Sequence, residues 1–380
     1  MNRLLSVASG LLYRYGCKPI LFRMSPDAVH SLLVRYAPVL HKQRPISFLL
    51  GSLAYRNEER LSQTIDGIYF PNPVGIAAGF DKNGDLTRVL GTIGFGFVTV
   101  GSVTAQPCDG NPKPWFHRLP KARSLVVHVG LANRGAKNVL KAIDGYPRQF
   151  FAQTPLVLSV AKTNLPSVVI DSVAIEDYLQ SVKLAEASPR VRCIEVNISC
   201  PNTYGGEPFT TPKRLQKLLR AIQSQSPIKP IWLKMPINLD WPAYNALVDV
   251  ALSYAVTTFV VGNLNKNRND LASDMRPPDE VLGNLSGKPT QQRSNDLIKK
   301  MYQTYGSTVT IVGVGGISSA EDAYEKIRLG ASVVGLITGL IFEGPQLVGN
   351  INHNLVQLLE RDGFTNISEA VGSYHRLSTR

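Results

Sequence analysis

Cysteine is scarce in this 380-residue chain. Its four copies (Cys17, Cys108, Cys193, Cys200) are scattered, with no metal-ligand spacing. That pattern argues against a disulfide framework and a structural zinc site, and fits free thiols in a reducing compartment. Long apolar runs are also missing. Leu4 to Tyr13 is too short to span a bilayer and is interrupted by Arg14. It lacks a small-residue cleavage site, so a signal peptide is not expected. Acids are few: 28 Asp and Glu stand against 41 Lys and Arg, a formal net charge of +13. Such an excess suits nucleic acid, an anionic membrane surface or anionic small molecules. No nucleic-acid-binding module is present, so nucleic acid is not expected as a partner.

The acid shortage is sharpest at the amino terminus. Through residue 45, Arg3, Arg14, Lys18, Arg23, Arg35, Lys42 and Arg44 face a single acid, Asp27. Ser25-Pro26-Asp27 has the chemistry of a helix start: a capping hydroxyl, proline in the first turn and an acid there. The helix that follows puts Val29, Leu32, Leu33 and Tyr36 on one face. Two short basic amphipathic helices predict an element lying in a membrane interface. Residues 1–45 are therefore expected to form a helical extension, and residues 46–380 the main domain.

From residue 70 onward, strand-like runs alternate with helical ones. Eight runs, beginning near 73, 96, 156, 193, 231, 258, 308 and 333, predict a (β/α)8 TIM barrel, an α/β fold. A doubly wound sheet is disfavoured because no GxGxxG opens the first unit. Long inserts follow strands two and six, around 104–150 and 263–292. Gly313-Val314-Gly315-Gly316 after strand seven and Thr338-Gly339 after strand eight occupy the usual phosphate site of such barrels. Lys82, Lys162 and Lys234 fall at the same strand ends, where a buried cation calls for an anionic cofactor or substrate. Strand four ends in Asn197-Ile198-Ser199-Cys200-Pro201-Asn202-Thr203. That stretch delivers amides, hydroxyls and a thiol where a barrel does its chemistry.

Six segments together resemble the dihydroorotate dehydrogenase family. They are 72–84 (NPVGIAAGFDKNG), 100–104 (VGSVT), 110–114 (GNPKP), 197–203 (NISCPNT), 285–289 (LSGKP) and 311–317 (IVGVGGI). The amino-terminal extension is similar to that of its membrane-associated, quinone-using class. The resemblance implies an FMN enzyme that oxidises (S)-dihydroorotate to orotate in pyrimidine biosynthesis and passes the electrons to quinone. It matches Ala78, Gly79, Lys82, Ser102, Asn197 and Lys234 to positions around the flavin ring and ribityl chain. Gly287, Gly315, Gly316, Thr338 and Gly339 match positions at its phosphate. Lys82, Asn197, Asn202 and Asn263 match substrate-gripping residues, and Cys200 the catalytic base. His30 and Arg118 match residues beside the quinone tunnel. No metal is implied. The expected location is peripheral, on the cytoplasmic face of a bacterial inner membrane.

The chain departs from the family pattern at several of these places. Cys200 stands where the quinone-using class has serine; a thiol serves as base if slightly acidified. Val127 stands for a substrate-binding asparagine, Leu131 for an aromatic and Leu264 for a threonine. Ser159 and Ala161 replace Asn and Gly before Lys162. Thr99 replaces an acid on strand two, Trp115 an arginine and Ile337 a tyrosine. His128 is a candidate to compensate in the substrate pocket. Two other readings stay open: an FMN oxidoreductase for another anionic heterocycle, and a non-catalytic flavin-binding protein.

Overall fold

The computed structural model describes residues 3–54 and 58–377; the side chains of Arg3, Leu4, His41, Lys42, Arg44 and Leu377 lie outside the described set. Eight parallel strands close a barrel: β1 (Val74–Asp81), β2 (Phe97–Val103), β3 (Leu156–Val160), β4 (Val191–Asn197), β5 (Ile231–Met235), β6 (Thr258–Val261), β7 (Thr310–Val314) and β8 (Val333–Leu336). Each neighbours the next in sequence, and β8 pairs with β1. The eight strand runs read from the sequence are these strands. The strands are apolar on both faces because one faces the barrel interior and the other the helices.

Phe70, Phe97 and Trp232 fill the amino-terminal end of the interior. Phe70 stacks on Trp232 with ring centroids 6.2 Å apart. Gly75 makes room for this cluster, since a Cβ there would sit 2.2 Å from Phe97 Cζ. A hairpin of strands 63–65 and 68–70 plugs the same end. Its Asp66 accepts from Trp232 Nε1 and Thr258 Oγ1, both at 2.8 Å.

The two long inserts meet over the opposite end. Strands 116–119 and 124–127 come from the first and 284–285 from the second, forming one antiparallel sheet. This roof is not visible in the sequence, where both inserts read as loop.

The amino-terminal extension is more helical than expected. Helix α1 (Arg3–Leu11) continues through a wider π-type turn at Leu12–Cys17 into α2 (Lys18–Arg23); α3 (Pro26–Lys42) and α4 (Arg44–Ser52) follow. Ser25 caps α3 as its sequence predicts, accepting from Ala28 N at 3.2 Å. Asp27 then fastens α3 to the roof by accepting from the backbone amides of Trp115 (3.1 Å) and Phe116 (3.4 Å). Leu11, Leu12, Tyr15, Ile20, Tyr36, Val39 and Phe48 are exposed on the extension. Among the described residues, no helix is long and apolar enough to cross a membrane.

Candidate active site

Every residue that the family resemblance matches to the flavin or the substrate lines one of two adjoining cavities at the carboxyl end of the strands. Ala78, Lys234, Asn263, Leu264 and Ile337 belong to both, so the cavities are two ends of one cleft. One end carries Gly287, Gly315, Gly316, Thr338 and Gly339. The other carries Gly79, Lys82, Ser102, Asn197, Cys200 and Asn202, with Val127 and Leu131 in the facing wall.

The glycine end is shaped by backbone. Gly315 (φ +121°) and Gly316 (φ +72°) hold conformations that L side chains rarely adopt. A Cβ on Gly316 would sit 2.4 Å from Gln291 Cβ, and one on Gly339 would sit 2.1 Å from the Ile317 carbonyl oxygen. The loops after β7 and β8 therefore approach each other as only glycine permits. Ser286 and Thr338 meet beside them, with their hydroxyl oxygens 3.0 Å apart.

Between the two ends runs a buried polar chain. Asn197 Nδ2 donates to Ser102 Oγ at 2.8 Å, and Ser102 and Ser159 share a hydrogen bond of 2.8 Å. Ser159 Oγ donates to Glu195 Oε1 at 2.6 Å. Lys234 Nζ lies 3.9 Å from the same carboxylate oxygen. Glu195 was not singled out above, although an acid inside an apolar strand is a readable signal. Thr99 lacks the family's acid on β2, and Glu195 supplies a buried acid from β4 beside Lys234.

The substrate end is built from side chains held by their neighbours. Asn197 Oδ1 accepts from Ser199 N at 3.1 Å. Asn263 Nδ2 donates to Ser199 at 2.6 Å, while its Oδ1 accepts from Leu264 N at 2.8 Å. Asn202 Nδ2 donates to the Val127 carbonyl oxygen at 2.9 Å. Burial pushes the Lys82 ammonium down to about 8, partly offset by Asp81 and Asp27. The Cys200 thiol moves opposite to the expected acidification. Burial raises it to about 11, partly offset by the Asn202 backbone N–H and the Lys234 charge.

Two sequence candidates face elsewhere. Lys162 donates to the Tyr204 carbonyl oxygen at 2.6 Å and does not line the cleft. His128 does not line it either; its backbone N donates to Trp115 O at 2.8 Å.

His30 and Arg118 border a separate apolar cavity of about 370 Å³ between the extension and the barrel. Leu21, Val29, Leu33, Val89, Leu90 and Ile341 help to line it. Such a volume suits a small apolar ligand. Arg118 Nη1 donates to Met24 O at 2.6 Å, and Tyr13 OH to Ile341 O at 2.6 Å. His30 Nε2 lies 2.9 Å from the Phe80 carbonyl oxygen, so that nitrogen carries the proton and donates. Burial and then the Lys82 charge push His30 down to about 4, leaving it neutral near pH 7. Lys82 Nζ is 3.5 Å from the same nitrogen. Phe116 lines both this cavity and the substrate end, forming their shared wall. Sequence reading missed Phe116 because only the roof sheet brings it there.

Comparison with known proteins follows this geometry closely. Residues 60–359 match the family model described as dihydroorotate dehydrogenase. A Deinococcus deserti protein named dihydroorotate dehydrogenase (quinone) is 35% identical, over 95% of this chain and 99% of that protein. One of the same name from Nostoc punctiforme is 33% identical, over 95% and 98%. Among solved structures, Eimeria tenella DHODH in complex with ferulenol superposes with a TM-score of 0.81 at 27% identity. That match covers 93% of this chain and 96% of the other.

Proposed function

The chain belongs to the dihydroorotate dehydrogenase family, in its quinone-dependent class, and from that premise we propose how its residues divide the reaction. The protein is a flavin-dependent oxidoreductase that takes dihydroorotate to orotate and uses quinone as acceptor. The flavin is FMN in our reading. The glycine end supports this: Gly287, Gly315, Gly316, Thr338 and Gly339 would hold a terminal phosphate through backbone N–H groups. Ala78, Gly79, Ser102, Asn197 and Lys234 would hold the ring and its chain. When bound, FMN supplies a two-electron acceptor that can later release electrons to quinone.

The protein's own residues do the remaining work. One observation carries the reading: Lys82 after β1, Asn197, Cys200 and Asn202 at the end of β4, and Asn263 after β6 come together in one cavity. The three amides offer donors and acceptors to the polar edge of a pyrimidine. Lys82 is costly to bury alone, and an anionic carboxylate at its Nζ would offset that cost. Cys200 takes the proton from the substrate carbon. Its raised pKa makes the thiolate scarce near neutrality and strongly basic once formed. Pro201 and Leu131 help keep the site dry.

Quinone occupies the apolar cavity beside His30 and Arg118, with Phe116 between it and the substrate end. Residues 1–45 form the extension that meets the membrane, and 46–380 the catalytic barrel. The exposed apolar side chains of α1 to α4, alternating with Arg and Lys, support peripheral binding to an anionic lipid surface. The cytoplasmic face of a bacterial inner membrane fits that binding.

The test is anaerobic. Protein purified with its yellow flavin is mixed with dihydroorotate and no acceptor. Bleaching of the oxidised band is the expected result. A flavin that stays yellow with dihydroorotate but bleaches with dithionite would assign the pocket to another heterocycle. Deleting residues 1–45 should abolish sedimentation with anionic liposomes; unchanged sedimentation would remove the membrane role.

A further inference from the structure

Val127 removes an amide from the substrate pocket, yet the strand paired with it carries one directly opposite. Strand 284–285 pairs antiparallel with strand 124–127, and Asn284 lies directly across from Val127. Directly opposed residues of an antiparallel pair project their side chains to the same face. Val127 faces the cleft, so Asn284 emerges beside it. From there Asn284 Nδ2 donates to Asn202 Oδ1 at 2.8 Å.

The orientation of both amides follows from one backbone atom. The Val127 carbonyl oxygen can only accept, so the Asn202 atom 2.9 Å from it is nitrogen. The other Asn202 terminus is therefore oxygen, and the Asn284 atom facing it is a donor. Asn111 Nδ2 holds the Asn202 backbone carbonyl at 3.1 Å. Asn202 thus meets the pocket with one remaining N–H and one remaining lone pair in fixed directions.

We propose that Asn284, from the strand opposite Val127, compensates for the missing amide from behind the pocket wall: it is the positioning residue that fixes Asn202 for the substrate's polar edge. This rests on the dihydroorotate reading above. Without Asn284, Asn202 Oδ1 loses its partner and the amide is held only through Nδ2, by the Val127 carbonyl oxygen. Substrate affinity then falls while the chemical step, carried at Cys200, is preserved.

The test is stopped-flow reduction of the bound flavin by dihydroorotate, which separates apparent Kd from limiting rate. Asn284→Asp is the sharp variant, because it keeps the shape but sets an acceptor against an acceptor. Asn284→Ala removes the group. Each is expected to raise the apparent Kd about tenfold, with a limiting rate near that of the wild type. Val127→Asn added to Asn284→Ala returns the amide from the neighbouring strand and is expected to restore most of the affinity. An unaltered flavin absorption spectrum in each variant reports an intact fold. If the wild type bleaches and Asn284→Asp binds as tightly as it does, the proposal is overturned alone. Failure of Val127→Asn to restore affinity overturns it as well. A wild type that dihydroorotate does not bleach overturns both this proposal and the substrate reading beneath it.

Discussion

At the phosphate end of the cleft the wall is backbone: Gly315, Gly316 and Gly339 shape it, and no side chain can be added without collision. At the substrate end the wall is side chains, each held by another: Asn202 by Asn284, Asn263 by Ser199, Asn197 by Ser102. The chain keeps the family's glycines at the first end and departs from the family pattern at Val127, Leu131 and Cys200 in the second, and at Leu264 and Ile337, which border both. A site made of backbone has few neighbours able to compensate for a change. A site made of side chains can be altered one residue at a time, provided a nearby group takes over the lost bond.

Four substitutions would break or sharpen that contrast. The largest effect should come from Gly316→Val, which adds a branched side chain at φ +72° against Gln291. Purified protein is expected to lose its flavin, measured by absorbance, while its far-ultraviolet circular dichroism stays that of a barrel. Next is Cys200→Ala, which should slow flavin reduction by about 10²–10⁴-fold, with the cofactor retained. Burial raises this thiol to about 11, so it is protonated near neutrality. The wild-type rate should therefore climb with pH, about tenfold per unit between roughly pH 7 and 10. That slope should vanish in Cys200→Ala. A smaller effect is expected from Leu264→Thr, which returns a hydroxyl to the cleft wall and should lower the dihydroorotate KM about 3–10-fold. Val127→Asn in the wild-type background should change KM by less than about 3-fold, because Asn202 is already fixed through Asn284. A large gain there would mean the substrate end has not been compensated.

The barrel could be read from sequence because each strand is a short apolar run between helical stretches, a local signal. The phosphate end could be read for a similar reason: its glycines lie in two short segments, 313–316 and 338–339. What escaped depends on long-range pairing. The roof sheet joins residues 116–127 to 284–285, and nothing local to either insert announces the other. Phe116 and Asn284 reach the site only through that sheet, so neither carried a signal of its own. Cys200 was legible as a candidate, but the direction of its shift was not. Burial is a property of the assembled wall, and here it outweighs the nearby lysines.

The extension is fastened to the barrel largely through backbone atoms. Arg118 grips the Met24 carbonyl, His30 the Phe80 carbonyl and Tyr13 the Ile341 carbonyl, while Asp27 takes the Trp115 and Phe116 amides. Each tie needs one particular side chain on one side and any residue at all on the other. Some apolar positions also dock, Phe22 edge-on to Phe342 and Ala37 buried in the core, whereas Leu11, Leu12, Tyr15, Val39 and Phe48 stay exposed and carry none of these ties. Those exposed positions can change while the helices stay seated. Sequence change in this part of the chain should accordingly spare Tyr13, Phe22, Asp27, His30 and Ala37 and range most widely over the exposed positions.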